Sequence, residues 1–115
     1  MSRKSRNSTA VRLRAHAPVF AALGDETRLA LVAKLSDRQP HSISQLTRDS
    51  RLTRQAITKH LRVLQNAGMV LSVRAGRESL FELNPQPIEA MKKYLDLVSE
   101  QWNQALSRLK TFVEE

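Results

Sequence analysis

The polar side chains between residues 53 and 67 have the types and the spacing of a surface that reads bases. On a helix at about 100° per residue, Ile57, Leu61 and Leu64 fall in one narrow sector, which we expect to face a core. A solvent-facing helix normally mixes Glu with Lys, whereas Arg reads guanine and Gln or Asn reads adenine in the major groove of DNA. The pattern therefore predicts a base-reading helix rather than a merely solvated face. Its outward side carries no acidic residue and presents Gln55, Thr58, Lys59, Arg62 and Asn66.

Further polar and basic side chains surround this helix. Thr53 is expected to cap it, and Arg54 and Gln55 lie in its first turn, where recognition helices usually meet base edges. The residues before the helix, and a pair of arginines beside Gly76, are placed to reach phosphates or the minor groove. Outside the helix face, the predicted DNA contacts are Ser44, Arg48, Arg51, Thr53, Arg54, Arg74 and Arg77.

The positive charge of the chain is concentrated in the same region. The formal net charge is +8, and residues 38–77 contain eight basic residues against one acidic residue. Residues 78–115 have an excess of acid, so the pattern indicates a localised polyanion-binding surface. Residues 38–77 contain no Phe, Tyr or Trp, which readers of RNA usually interleave with basic residues. We therefore expect double-stranded DNA as the partner, with a basic RNA- or protein-interaction module as the alternative.

Other classes of protein are disfavoured by the composition and the motifs. The chain has no nucleophile elbow, paired-carboxylate motif or Gly-rich phosphate loop, so we expect no enzyme. It contains no Cys, which excludes disulfides and thiolate metal sites. No apolar stretch approaches the roughly 18 residues of a membrane span, and the N-terminus lacks the apolar segment of a secretory signal. We expect a cytoplasmic protein with no membrane partner.

Turn signals divide the chain into an arm and one domain. Residues 1–15 are polar, basic and aperiodic, which predicts a disordered arm, and residues 16–115 form the domain. Pro18 fits the first turn of a short helix. A second helix is expected over residues 26–35, with Leu29 in its apolar stripe.

The remaining elements predict a winged helix-turn-helix. Ser44 is a plausible N-cap for a short helix, and the base-reading helix ends at Gly68. Residues 69–73 and 79–83 alternate as two strands joined by a tight turn. The order of four helices, a hairpin and a final helix predicts a mainly α fold of the α+β type with a small β-hairpin wing.

The last predicted helix, residues 88–113, carries an apolar stripe too long for a domain of this size to cover. Two interleaved heptad series run along it without a break. We expect a second copy of the chain to cover the stripe in a two-fold dimer, and an intrachain core helix is the alternative. The residues predicted to form the interface are Phe20, Ile88, Met91, Leu95, Val98, Trp102, Ala105 and Leu109.

Three stretches within residues 18–83 resemble the ArsR/SmtB family of repressors. Residues 20–29, FAALGDETRL, are similar to the family's "ALadptRl..L..L" opening, and residues 53–70, TRQAITKHLRVLQNAGMV, to its "S...vS.HL..L..aGlV" signature. Residues 74–83, RAGRESLFEL, resemble its "R.Gr...Y.L" wing. The resemblance implies a homodimeric winged helix-turn-helix regulator, usually a repressor that a ligand releases from a palindromic operator. Arg51 departs from the family by standing where Gly is frequent in the turn.

The metal-sensing members of that family bear Cys residues in the pattern "ELCvCDL" at the third helix. Here Ser42 and Ser44 stand at the two thiolate positions, and serine hydroxyls do not form that site. The family's other site uses Asp and His on the last helix, and residues 88–115 contain no His. No two of the three His share a short motif spacing, and His60 is expected to pack or to bond a phosphate. We expect no metal and no cofactor, and the sequence does not identify an effector.

Overall fold

Five helices and one small antiparallel sheet make up the computed structural model, which describes residues 2–114 and, for side chains, residues 13–114. Since the helices dominate and the strands form a single sheet, the expected mainly α fold with a β wing is confirmed. In chain order the elements are α1 (Ser2–Leu23), α2 (Glu26–Leu35), β1 (His41–Ser42), α3 (Ile43–Arg48), α4 (Arg54–Asn66), β2 (Val70–Ala75), β3 (Glu78–Leu83) and α5 (Pro85–Glu114).

The first helix is longer than the sequence indicated. Pro18 lies inside α1 and not in its first turn, so the helix lacks one backbone donor there. Val19 and Ala22, which follow it, are buried in the core and hold this end of α1 in place. Residues 2–15 of the arm belong to α1. The side chains of residues 1–12 lie outside the described ones, and the disorder of the arm stays a prediction.

The second helix is capped by Asp25, whose carboxylate accepts the backbone N–H of Arg28 at 3.0 Å. Leu31 and Leu35 are buried, one turn apart on the inner face. Leu29, expected in the same stripe, is 53% exposed. That expectation was wrong because residues 29 and 31 lie about 200° apart around a helix.

A two-residue strand, β1, precedes α3 and was not expected. It pairs with β3 at His41↔Phe81 and Ser42↔Leu80, which gives the sheet the order β1-β3-β2. Ser42 then caps α3: its hydroxyl accepts the N–H of Gln45 at 3.2 Å, and its own N–H donates to the Gln45 side chain at 2.9 Å. The expected N-cap at Ser44 was therefore wrong, because the capping box places the cap two residues earlier.

The core lies where α2, α3, α4 and the base of the wing meet. All members of its centre are aliphatic or Met, and their burial fixes α4 against the rest of the domain. The largest fully buried side chains are Leu35, Leu46, Ile57, Leu61, Leu64, Met69 and Val70.

The last helix begins at Pro85, three residues before the expected start. Asn84 fixes the chain just before this helix. Its backbone N–H donates to the carbonyl of Met69 at 2.8 Å, and its side-chain amide donates to the carbonyl of Gly68 at 2.9 Å. Met91 is buried against the core, whereas the following turns extend away from it. At 30 residues, α5 is about 45 Å long. Within residues 2–114, no helix has both the length and the apolar character that a membrane crossing requires.

Candidate nucleic-acid interface

Helix α4 has one buried face and one exposed polar face, as its periodicity predicted. Ile57, Leu61 and Leu64 are almost completely buried. The helix contains no acidic residue, so its exposed face is positive and rich in hydrogen-bond donors. The exposed polar residues on it are Arg54, Gln55, Lys59, Arg62, Gln65 and Asn66.

The start of α4 is fixed by Thr53, whose hydroxyl accepts the N–H of Ala56 at 3.1 Å. The predicted cap is confirmed. Because the helix dipole adds partial positive charge at this end, Arg54 and Gln55 lie at its most anion-attracting part. Gly68 ends the helix with a φ of 80°, a conformation that favours glycine.

Three predicted contact residues make hydrogen bonds within the protein itself. The guanidinium of Arg54 donates to the hydroxyl of Ser44 at 3.2 Å, which links α4 to α3 across the exposed surface. The hydroxyl of Thr58 donates to the carbonyl of Arg54 at 2.8 Å, and Thr58 is half-buried. Its donor is therefore used within the helix, and its oxygen keeps only acceptor capacity. Of the predicted contacts on this face of α4, Gln55, Lys59 and Arg62 are exposed.

The turn between α3 and α4 carries the next two basic residues. Arg48 ends α3 and Arg51 lies in the turn, and both are exposed. Ser50 closes the turn: its N–H donates to the carbonyl of Thr47 at 2.9 Å, and its hydroxyl accepts the N–H of Leu52 at 3.0 Å. Among the described non-glycine residues, positive φ occurs only at Arg38, so Arg51 fits this turn without strain.

The wing is a hairpin with a two-residue turn. Ala75 pairs with Glu78, so Gly76 and Arg77 alone form the turn, and Gly76 has the positive φ of 64° that the turn requires. Arg74 lies inside β2 opposite Ser79 rather than at the tip, and both arginines are exposed. The tip thus presents Arg77 first and Arg74 behind it.

A polar cluster that the sequence did not predict joins α4 to the start of α2. Nη1 of Arg28 lies 3.3 Å from Nδ1 of His60, and Nε of Arg28 donates to the carbonyl of Ala22 at 2.5 Å. The backbone N–H of Arg28 is the main cause that lowers the pKa of Asp25; burial opposes it, and the guanidinium of Arg28 adds a smaller lowering effect. His60 packs beside α2 and is half-buried, in line with the first of its two expected roles.

The residues predicted for dimerisation divide into two groups. Met91 is buried in its own chain, and Ile88 and Phe20 pack against that core. The ring of Phe20 also meets Tyr94 edge-on, with 5.9 Å between the centroids, which joins α1 to α5. Ala105 is half-buried, whereas Leu95, Val98, Trp102 and Leu109 are exposed.

Further large apolar side chains of α5 that were not among the predicted interface residues are also exposed. In the described part of the chain, Leu106, Phe112 and Val113 continue the face of Leu95, whereas Leu97 lies about 200° from Leu95 around the helix. Exposed apolar surface of this extent marks an interaction site.

The serines at the family's thiolate positions have separate structural contacts. Ser42 is buried as the cap of α3, and Ser44 accepts the bond from Arg54. Among residues whose side chains are described, no three His, Asp or Glu come close enough to hold a metal ion.

Residues 25–72, which span α2 to the start of β2, match the family described as bacterial regulatory protein, arsR family. An uncharacterized HTH-type transcriptional regulator of Bacillus subtilis, YuzN, is 40% identical over 65% of this chain and 88% of its own. The HTH-type transcriptional regulator Rv2034 of Mycobacterium tuberculosis is 35% identical over 76% of this chain and 78% of its own. A solved ArsR-like transcriptional regulator from Rhodococcus superimposes with a TM-score of 0.74 at 35% identity, over 86% of this chain and 92% of the other. All three of these similar proteins are named as regulators of transcription, and none is named as an enzyme.

Proposed function

The chain belongs to the arsR family of bacterial regulatory proteins, and from that premise we propose that it is a homodimeric repressor that binds a palindromic operator. It is a transcriptional regulator with a helix-turn-helix. The proposal adds the mode of binding, the repressor role and the independence from metal. The observation that carries it is the acid-free, exposed polar face of α4, fixed on the other side by the core.

The division of contacts along the surface follows from burial and hydrogen bonding. Gln55, Lys59 and Arg62 are exposed on one face of α4, where they enter the major groove and read bases. Arg48, Arg51 and the wing arginines surround that face and neutralise phosphates. Arg54, already bonded to Ser44, supports the surface and contacts the backbone of the DNA.

The dimer follows from the uncovered face of α5. Leu95, Trp102 and Leu109 lie one heptad apart and are exposed, so a second copy is the self-complementary surface that covers them. Two copies related by a two-fold axis present two α4 helices to successive major grooves, about 34 Å apart. The operator is therefore an imperfect palindrome with half-sites one helical turn apart.

Metal does not control the proposed repressor through the usual sites of the family. The chain contains no Cys, and Ser42 and Ser44 occupy the positions of the two thiolates. Protonated hydroxyls are poor ligands for soft metal ions. Residues 88–115 contain no His to complete a site on the last helix. Release of the operator by a metal ion at either of these sites is therefore not part of the proposal.

The proposal is tested by selecting duplexes from a random pool with the purified protein and sequencing them. We expect an enriched palindrome, and we expect its base preference to change when Gln55→Ala or Arg62→Ala replaces the wild type. Gln86→Ala, at an exposed position at the start of α5, is the matched control and leaves the preference unchanged. A parallel pool of single-stranded RNA addresses the alternative. Enrichment of RNA without enrichment of duplex DNA would overturn the proposal. So would a palindrome whose base preference is the same for the wild type and for both α4 variants.

A further inference from the structure

Arg28 connects three helices at one point. Its Nε donates to the carbonyl of Ala22 in α1 at 2.5 Å, its backbone N–H bonds the Asp25 carboxylate that caps α2, and its Nη1 meets Nδ1 of His60 in α4 at 3.3 Å. Oδ2 of Asp25 lies 3.8 Å from the same ring nitrogen. Arg28 and Asp25 are the charged groups that α2 and its cap bring to the ring. Among the described side chains, α1, α3 and β2 bring no charged group within bonding distance of it.

The protonation state of His60 decides whether this contact is attractive. A guanidinium has only donors and keeps its proton at any relevant pH. The Arg28–His60 contact is therefore a hydrogen bond only when Nδ1 carries a lone pair and the ring proton is on Nε2. Protonation of the ring puts an N–H on Nδ1 opposite the guanidinium, so this hydrogen bond is lost. The nearest carboxylate oxygen, Oδ2 of Asp25, lies 3.8 Å from Nδ1 and already accepts the backbone N–H of Arg28, so it does not replace the lost bond.

We propose that Arg28 and His60 are positioning residues for the recognition helix, and that the linkage holds α4 against α1 and α2 only while His60 is neutral. This inference rests on the DNA-binding role of α4 proposed above. His60 is half-buried, so it acts by placing the exposed face of its helix and not by contacting bases. Base readout depends on precise placement, so loss of the linkage weakens specific binding more than non-specific binding.

The proposed linkage and simple electrostatics predict opposite changes of specific DNA affinity at lower pH. A His that gains charge near DNA adds a cation to a polyanion-binding surface, which strengthens binding at lower pH. Release of the linkage on protonation of the ring instead weakens specific binding at lower pH. The direction of the pH effect therefore separates the two roles.

The experiment measures the affinity of the full chain for a selected palindromic duplex by fluorescence anisotropy, at about pH 7.5 and about pH 5.5 and at constant ionic strength. For the wild type we expect specific binding to weaken by about fivefold at the lower pH. His60→Asn is expected to bind equally well at both, because the Asn Oδ1 stands near the position of Nδ1 and cannot be protonated. His41→Asn is the control: His41 pairs with Asp37 in the loop before α3 and is expected to leave the wild-type profile unchanged. Equal pH profiles for wild type and His60→Asn, or tighter wild-type binding at low pH, would overturn the proposal.

A second measurement does not depend on DNA. The ring ¹⁵N shifts of His60 at about pH 7.5 are expected to show the tautomer with the proton on Nε2, and Arg28→Met is expected to lower the fraction of that tautomer. A proton on Nδ1 in the wild type would overturn the linkage. If no duplex is bound at any pH, the proposed function fails by itself, and the ring spectrum still decides whether the linkage exists.

Discussion

The exposed stripe of α5 leads to a quantitative prediction for Trp102→Ala. Trp102 is 67% exposed in the isolated chain. A Trp side chain offers up to about 250 Å² for burial, so roughly 170 Å² of it is available to a partner, worth up to about 4 kcal/mol at about 25 cal/mol/Å². If half of this is lost on truncation, each copy contributes about 2 kcal/mol and a symmetric dimer about 4 kcal/mol. That corresponds to a dissociation constant about a thousandfold higher.

Sedimentation equilibrium from nanomolar to micromolar protein measures this constant. Glu100→Ala is the matched control, because residue 100 is exposed on the opposite side of the same helix. Circular dichroism should show the same helix content in both variants at concentrations where both are dimeric. Equal dissociation constants for Trp102→Ala and Glu100→Ala would refute the assignment of the interface. A well-folded, DNA-competent dimer of a variant with charged residues at both Leu95 and Trp102 would refute it as well.

Five further outcomes are expected. Gln55→Ala or Arg62→Ala should cost about 1–3 kcal/mol on the selected duplex and relax the preference at particular base pairs, as anisotropy on matched and mismatched duplexes would show. Arg77→Ala should weaken binding to all sequences alike and lower the salt slope by about one phosphate per subunit, so a change in base preference there would count against the division of contacts. Zn, Cd or Ni, titrated into the same assay, should leave binding unchanged, and a saturable, chelator-reversible release of DNA near stoichiometric metal would reveal a site. Thr53→Ala should lower the free energy of unfolding by about 1 kcal/mol in urea, through loss of the cap of α4. The lowered pKa of Asp25 gives an acid dependence: its ionised form stabilises the fold above the pKa of the unfolded chain, and this contribution is lost as pH falls through the lower folded value. Asp25→Asn, which keeps a capping acceptor, should therefore lose less stability than the wild type between about pH 6 and about pH 3.

Features that depend on local periodicity were predictable from the sequence. The buried and exposed faces of α4 follow from a period of 3.6 residues, and Thr53 was recognised as its cap. The hairpin was recognised because Gly76 permits the positive φ of its turn. The same reasoning failed at Leu29, where an apolar residue was counted in a stripe although its angular position is on the other side of α2.

Features that depend on contacts between distant segments were not predictable in this way. A two-residue strand such as β1 has no periodic pattern, and it exists because Phe81 and Leu80 of β3 supply its partners. Its pairing moves the cap of α3 from Ser44 to Ser42. Both serines have helix-capping chemistry, so the residue types alone do not distinguish them.

The sequence by itself determined the family, the helical character of the chain and the face of α4 that meets solvent, because all three depend on residue types at short spacing. Only the tertiary structure decided which apolar residues of α5 its own core uses. Met91 and Trp102 belong to the same predicted stripe, yet the core covers the first and leaves the second exposed. Likewise, Arg28 and His60 lie 32 residues apart and share no motif, and the packing of α2 against α4 brings them together. Burial and bonding between such segments depend on where the whole chain places them, and no local pattern contains that information.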